Sequence, residues 1–389
     1  MISVDEALGH VFSLADPMAA ESVPLRLAAG RVLASPVSAT RNQPPFRASV
    51  MDGYAVAGTF DTYRVVGEAA AGHGFETPLA PGTCVRIFTG ATVPDGADRV
   101  IIQEDVTRDQ DQISVQGNAD SKLYIRDIGA DFKVDDQLSA PRRLTPADVA
   151  LIAAMNVPEV NVSRRPEVAL IATGDELVMP GETPRPDQII ASNAFGLAAL
   201  AEEEGAKARL LPIARDTRPS LEAAFELAAS ADLIVTIGGA SVGDHDLVGE
   251  VAADLGLSRA FYKIAMRPGK PLMAGRLGGT PMIGLPGNPV SSMVCGHVFL
   301  RPMLRAMQGL AAAPLPINTA ALATDLAANG PRQHYMRACL AEGRLTVAER
   351  QDSALLSVLS KANALIVRPP HDPARSVGDM VGFLSVNEY

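Results

Sequence analysis

The residues best suited to chemistry in this chain sit in four short loops rich in glycine or proline. They are Thr173-Gly174-Asp175-Glu176, Gly238-Gly239-Ala240-Ser241-Val242-Gly243-Asp244-His245-Asp246, Arg267-Pro268-Gly269-Lys270-Pro271 and Leu285-Pro286-Gly287-Asn288-Pro289. Glycines at such positions let backbone N–H groups close on an anion with no Cβ in the way. Asn288 before Pro289 reads as the N-cap and first residue of a helix that presents its N-terminus to that anion. Arg267 and Lys270, on a loop stiffened by two prolines, add fixed positive charge. Together the loops describe an oxyanion site suited to phosphate. Asp175, Glu176, Asp244 and Asp246 share these loops and would repel a bare phosphate; a hard divalent cation such as Mg²⁺, bridging carboxylate and phosphate oxygens, removes the conflict. Asp175 and Asp244 are equally well explained as caps of the helices that follow them, so Glu176 and Asp246 are the stronger metal candidates. A lone loop histidine, His245, reads as a solvated or hydrogen-bonding residue.

The elements that must position these loops are legible between residues 165 and 309, where strands and helices alternate in the manner of a parallel sheet covered on both faces. Strands are expected at 168–172, 209–213, 233–237, 260–266 and 281–284, and helices at 193–204, 219–229, 247–255 and 289–307. In such a sheet ligands bind outside the carboxyl ends of the strands, so all four loops are expected to face one crevice. Upstream, 4–12 and 25–37 read as helical, with Ser3 as N-cap and Gly30 as a break. From 41 to 130 short β-rich runs separated by turn signals indicate a small all-β module, in which Asp52-Gly53 is, from pattern alone, a hairpin turn. Helix returns at Thr145-Pro146, so the β module is inserted into a helical domain. After the linker Ala313-Pro314-Leu315-Pro316, four strand-like runs predict a C-terminal β-barrel.

Composition narrows the function classes. With 389 residues and 47% apolar side chains the chain needs more than one core. A net charge of −10 with no basic stripe excludes a nucleic-acid partner. No apolar run approaches a membrane span, and the first residues lack a signal-peptide pattern, so a soluble cytoplasmic protein is expected. Cys84, Cys295 and Cys339 are too dispersed for a zinc site or a disulfide framework.

Taken in order, Ser49-Val50-Met51-Asp52-Gly53-Tyr54-Ala55, Phe88-Thr89-Gly90-Ala91-Thr92-Val93-Pro94-Asp95-Gly96-Ala97-Asp98 and the four loops resemble the molybdopterin molybdenumtransferases, that is, bacterial MoeA proteins and the E domain of gephyrin. The resemblance spans essentially the whole chain. It implies a multidomain α/β protein: a split helical domain that dimerises (1–40 and 131–164), an inserted β domain (41–130), a three-layer α/β molybdopterin-binding domain (165–310) and a C-terminal β-barrel (311–389). It implies Mg²⁺-dependent insertion of molybdate into adenylylated molybdopterin with release of AMP, on a homodimer in which Asp52, Thr89 and Asp131 reach the partner subunit's site. Glu176 and Asp246 would hold the metal, with Asp216 nearby. The loop bearing Gly238, Gly239, Ser241 and Gly243 and the turn Pro286-Gly287-Asn288 would cradle the substrate's phosphates, and Thr173, Gly174 and Asp175 would also bind substrate. Arg267, Lys270 and Ser291, with Arg337 and Ser353 from the barrel, would form the molybdate site, and Pro268 and Gly269 of the same loop would bind substrate. The implied protein partners are the molybdopterin adenylyltransferase and apo-molybdoenzymes. A non-catalytic molybdopterin-binding scaffold and a relative of the adenylyltransferase are the alternatives. The segment Phe46-Arg47-Ala48-Ser49-Val50 and Ala130 depart from the family pattern.

Overall fold

The computed structural model describes residues 1–239 and 247–386. Their contacts divide the chain into two compact units, Met1–Glu21 with Ser163–Tyr389, and Ser22–Val162. Helix α1 (Val4–Leu14) opens the first unit with a reciprocal cap, in which Ser3 Oγ accepts from the Glu6 N–H at 3.1 Å and the Glu6 carboxylate accepts from the Ser3 N–H at 2.7 Å. Its apolar stripe, Val4, Ala7, Leu8, Val11 and Leu14, is buried in that unit's largest core.

The second unit is built on a twisted sheet of β1 (Gly53–Val56), β2 (Thr62–Ala69), β3 (Thr83–Ile87), β4 (Arg99–Ile102), β5 (Val106–Asp109) and β6 (Gln112–Val115), in the order β4-β1-β3-β2-β6-β5. Alternation is clear on β1. Ala55 enters one core with Val85 and Val100, whereas Tyr54 and Val56 enter another with Tyr63 and Ile101. Helix α2 (Pro146–Ala154) follows the sheet with the expected Thr145 cap and Pro146 start. One expectation fails here: 25–37 is not helical. Leu25–Leu27 is a single 3₁₀ turn, and Val32–Leu33 is a strand that pairs with Arg142–Arg143 and Val162. Its backbone partners lie more than a hundred residues away in sequence, and this long-range pairing overrides local propensity. The same pairing shows that the β sheet interrupts a structure made by the segments on either side of it.

In the first unit the chain runs β7 (Glu167–Ala172), α3 (Asn193–Glu203), β8 (Lys207–Leu210), α4 (Arg218–Ala228), β9 (Leu233–Ile237), α5 (Leu247–Asp254), β10 (Leu257–Tyr262), β11 (Met273–Leu277), β12 (Thr280–Leu285), α6 (Pro289–Cys295) and α7 (Arg301–Met307), with one π-helical turn, Gly296–Leu300, joining the last two. The sheet order is β8-β7-β9-β12-β11-β10. The strands from β8 to β12 are parallel, but β11 and β10 are antiparallel additions. A wholly parallel sheet was the expectation; β11 escapes it because Met273–Leu277 turns straight back into β12 with no helix between. Along β7, Val168 and Leu170 feed the core on one face and Ala169 and Ile171 the core on the other. Strands of a doubly covered sheet are accordingly apolar throughout.

The C-terminal region closes into a five-stranded barrel. β14 (Gln333–Ala341) pairs with β15 (Arg344–Val347), then follow β13 (Asn318–Leu322), β17 (Met380–Ser385) and β16 (Ala364–Arg368), which returns to pair with β14. Met266–Arg267 adds to β14 in parallel, with Arg267 opposite His334. The cationic loop is thereby anchored to the barrel.

Candidate functional site

At the carboxyl ends of β7, β9 and β12 the loops enclose a cavity of about 410 Å³. Of the residues singled out in the sequence, Thr173, Gly174, Glu176, Asp216, Gly238, Gly239, Pro286, Gly287 and Asn288 line it. Its walls depend on close backbone approach. Gly238 has φ +96°, and a Cβ there would lie 2.8 Å from the Thr173 carbonyl oxygen. Gly174 has φ +146°, and a Cβ there would collide with the Glu176 carboxylate, which rests over it. α6 starts at Pro289 as predicted, but Asn288 has the extended backbone of an N-cap without a capping side-chain bond.

Asp175 and the neighbouring Arg215 brace the cavity instead of lining it. Asp175 Oδ1 accepts from the Asp216 N–H at 3.1 Å, and Arg215 Nη1 donates to the carbonyls of Gly174, Asp175 and Leu177 at 3.3, 3.2 and 2.9 Å. Arg215 was not anticipated, nor was Asn193, which lines the cavity and donates from Nδ2 to the Gly287 carbonyl at 2.8 Å. Asn193 at the start of a periodic apolar run was the available signal for a helix N-terminus at the site. The carboxylates of Glu176 and Asp216 are hard oxygen donors on the same cavity, a set that suits Mg²⁺ with water completing its shell. Ser241, Gly243 and Asp246, with Asp244 and His245, lie outside the described residues. Among those described, no cluster of three or more His, Cys, Asp or Glu side chains is placed to hold a metal.

A second polar centre surrounds α6 where it meets the barrel. Arg337 is fully buried, and its Nη2 donates to the Arg350 and Asp352 carbonyls at 3.3 and 3.1 Å, while Nε and Nη1 have no partner among the described residues. Unpartnered guanidinium N–H groups in a protein interior are costly unless a ligand meets them. Burial lowers the Arg337 pKa; Asp352 opposes that shift and Arg267 reinforces it. His334 is buried in the same neighbourhood. Burial pushes its pKa down to about 4, with Arg267, Arg337, Arg368 and Arg332 acting in the same direction. Nothing in the sequence pattern pointed to it.

The other candidates converge on α6. The Ser353 carbonyl accepts from the Val290 N–H at 2.9 Å, next to buried Ser291, and the Cys295 thiol lies 4.0 Å from the Gly269 carbonyl. Burial holds that thiol well above its ordinary pKa, so it packs and does not react. Pro271 lines the main cavity while Lys270 and Arg267 are exposed on the same loop. The cation-bearing loop and α6 therefore reach the cavity through Pro271 and Pro289, and the barrel strand pairs with that loop at Arg267.

Asp52, Thr89 and Asp131 belong to the other compact unit. Asp52 Oδ1 accepts from both the N–H and the hydroxyl of Thr89, each at 2.7 Å, and these bonds hold its carboxyl below the ordinary aspartate value. Asp131 is exposed, and its backbone N–H donates to the Gln43 carbonyl at 2.9 Å.

Family comparisons match this architecture piece by piece. The MoeA N-terminal region (domains I and II) matches residues 2–156, a probable molybdopterin-binding domain 169–306, and the MoeA C-terminal region (domain IV) 319–386. The chain belongs to the MoeA family of molybdopterin molybdenumtransferases. It is 36% identical to the molybdopterin molybdenumtransferase of Nostoc sp. over 86% of this chain and 81% of that one. It is 34% identical to the Haemophilus influenzae enzyme of the same name over 98% of each. A solved molybdopterin biosynthesis MoeA protein from Pyrococcus horikoshii superimposes with a TM-score of 0.85 at 25% identity, covering 99% of this chain and all of that one. No helix among the described residues of this MoeA-family chain is long and apolar enough to cross a membrane.

Proposed function

We propose that this chain is a cytoplasmic molybdenum insertase: it inserts molybdate into adenylylated molybdopterin and releases AMP. The observation that carries the reading is the buried Arg337 guanidinium with two unpartnered nitrogens, in electrostatic reach of Arg267, whose loop lines through Pro271 a cavity built from loop amides and carboxylates. Molybdate is a small tetrahedral dianion; Arg337, Arg267, Lys270 and the hydroxyls of Ser291 and Ser353 supply the charge and donors to hold it. The loops at Thr173-Gly174, Gly238-Gly239 and Pro286-Gly287-Asn288 cradle the phosphates, where backbone N–H groups and the α6 N-terminus favour negative charge.

Glu176, with Asp216 and Asp246, would hold Mg²⁺, which when bound offsets the charge of the phosphoanhydride being cleaved. Gly174 and the Asp175 and Arg215 braces fix the Glu176 and Asp216 loops before substrate arrives, so little ordering remains to be done at the moment of reaction. Water attacks the phosphoanhydride and frees AMP from molybdopterin phosphate, and the two dithiolene sulfurs bond to the molybdenum of molybdate while one oxo group leaves as water with the two thiol protons. The chain would work as a homodimer, with Asp52, Thr89 and Asp131 completing the partner subunit's site. It would take its substrate from the molybdopterin adenylyltransferase and deliver to apo-molybdoenzymes. The direct test is AMP release from adenylylated molybdopterin with Mg²⁺, with and without molybdate, in wild type and Glu176→Ala. Molybdate-stimulated release that the variant loses by at least about a hundredfold fits the reading. Substrate binding with no release in the wild type would make the chain a scaffold.

A further inference from the structure

Along the groove between α3 and α6 lies a second cavity, of about 300 Å³, at the lower end of the ~300–1,000 Å³ typical of small-molecule sites. Ser192 and Asn193 line both cavities, so the two adjoin at the α3 N-terminus. Met293, Leu356 and Leu359 give it apolar walls, and His297, only 5% exposed, supplies a polar group.

The state of that imidazole follows from its neighbour. His297 Nδ1 lies 3.4 Å from Arg301 Nη1, and a guanidinium only donates, so Nδ1 is the acceptor and the ring proton sits on Nε2. Burial pushes the His297 pKa down to about 3, Arg301 acts the same way, and Glu204 opposes them, so the ring is neutral at physiological pH. The π-helical turn Gly296–Leu300 carries this histidine between α6 and α7. A chamber with apolar walls, a neutral imidazole and a few neutral hydroxyl and amide groups, and with no charged side chain in its lining, does not suit a phosphate. It suits a flat, uncharged ring with an acceptor atom, and a thioether such as Met293 packs well against an aromatic face.

We propose that this chamber binds the planar nitrogen heterocycle of the substrate, with a ring nitrogen or carbonyl accepting from His297 Nε2–H while the attached phosphates occupy the main cavity. The proposal rests on the phosphate reading of that main cavity. A pterin and an adenine share this chemistry, and two probes separate them: 6-hydroxymethylpterin, followed by its fluorescence, and AMP, followed by calorimetry. Ser360 is exposed and lines the chamber, so Ser360→Trp fills it from the surface without disturbing the core. His297→Phe keeps a ring and removes the donor.

At least tenfold weaker binding of one probe in Ser360→Trp, with molybdate affinity unchanged, is the expected result; loss of the pterin probe assigns the chamber to the pterin and loss of AMP to the adenine. His297→Phe should weaken the same probe by about tenfold, the worth of roughly one hydrogen bond. Wild-type binding of neither probe, or binding untouched by Ser360→Trp, overturns the proposal. If AMP release proves independent of molybdate while the Ser360→Trp effect persists, the insertion reading fails and the ring site stands.

Discussion

Two buried charges in the same compact unit are handled in opposite ways. Glu204, at the end of α3, is 1% exposed and accepts from Arg301 Nε at 2.7 Å, Arg305 Nε at 2.9 Å and Arg305 Nη2 at 3.0 Å. Gln308 donates to its backbone carbonyl at 2.7 Å. Arg337 is 0% exposed and leaves Nε and Nη1 unpartnered. The first charge is satisfied within the protein and pins α3 to α7; the second leaves two nitrogens open, as the proposed molybdate site requires. Burial of charge marks a binding centre only where the hydrogen-bond account stays open.

Breaking the closed account should have the largest effect on stability. Glu204→Ala strands two guanidinium groups in a partly buried site and should cost about 3–5 kcal/mol in urea unfolding, the usual penalty for removing one partner of a buried pair. Molybdate affinity of the folded fraction should stay within about threefold, since nothing at α6 and the barrel is touched. The pH dependence sharpens this. Burial tends to raise the Glu204 pKa, but hydrogen bonds and charge from Arg305 and Arg301 outweigh it, so the folded value lies below 4.5. A depressed carboxylate pKa gives stability that is present above the unfolded value and is lost as pH falls through the folded one. Glu204→Gln should therefore flatten the acid limb of a stability–pH curve measured from pH 7 downward.

Gly238→Ala should rank next. At φ +96°, with its new Cβ 2.8 Å from the Thr173 carbonyl, it should lose about 1–3 kcal/mol and weaken AMP binding in the main cavity while sparing molybdate binding. Arg337→Met should cost the unliganded protein less than about 1 kcal/mol in thermal unfolding or leave it more stable, because an incompletely paired buried charge is replaced by an apolar chain of similar length. Smallest of all is the effect on the surface carboxylate of the other unit. In Thr89→Val the Asp52 midpoint, followed by NMR, should rise part of the way from below 3.8 toward it, because the hydroxyl bond is lost while the larger effect, the bond from the residue 89 N–H, remains.

How much was legible in the sequence follows from how local each device is. The cavity loops are written in backbone terms, Thr173-Gly174, Gly238-Gly239 and Pro286-Gly287-Asn288-Pro289, and such chemistry shows in a few adjacent residues. Arg337 is different: no local pattern marks it as buried, and only the resemblance to a family singled it out. His334 and Arg215 act through neighbours far away in sequence and left no mark at all. For the fold, the helix starts at Ser3, Thr145 and Pro289 were visible in caps and prolines. Val32–Leu33 was misread and Met273–Leu277 missed, because a two-residue strand paired across more than a hundred residues, and a hairpin turning on glycines, carry no periodicity long enough to read.

The most direct test of the account is a calorimetric titration of molybdate into the wild-type protein and into Arg337→Met at pH 7. A single site per chain in the wild type, weakened at least about a hundredfold in the variant while its fold and thermal midpoint are retained, is the predicted result, since two charge-assisted hydrogen bonds are worth roughly 3 kcal/mol or more. Equal affinity in the two proteins would mean that the open donors of Arg337 serve no anion, and the central claim would fall.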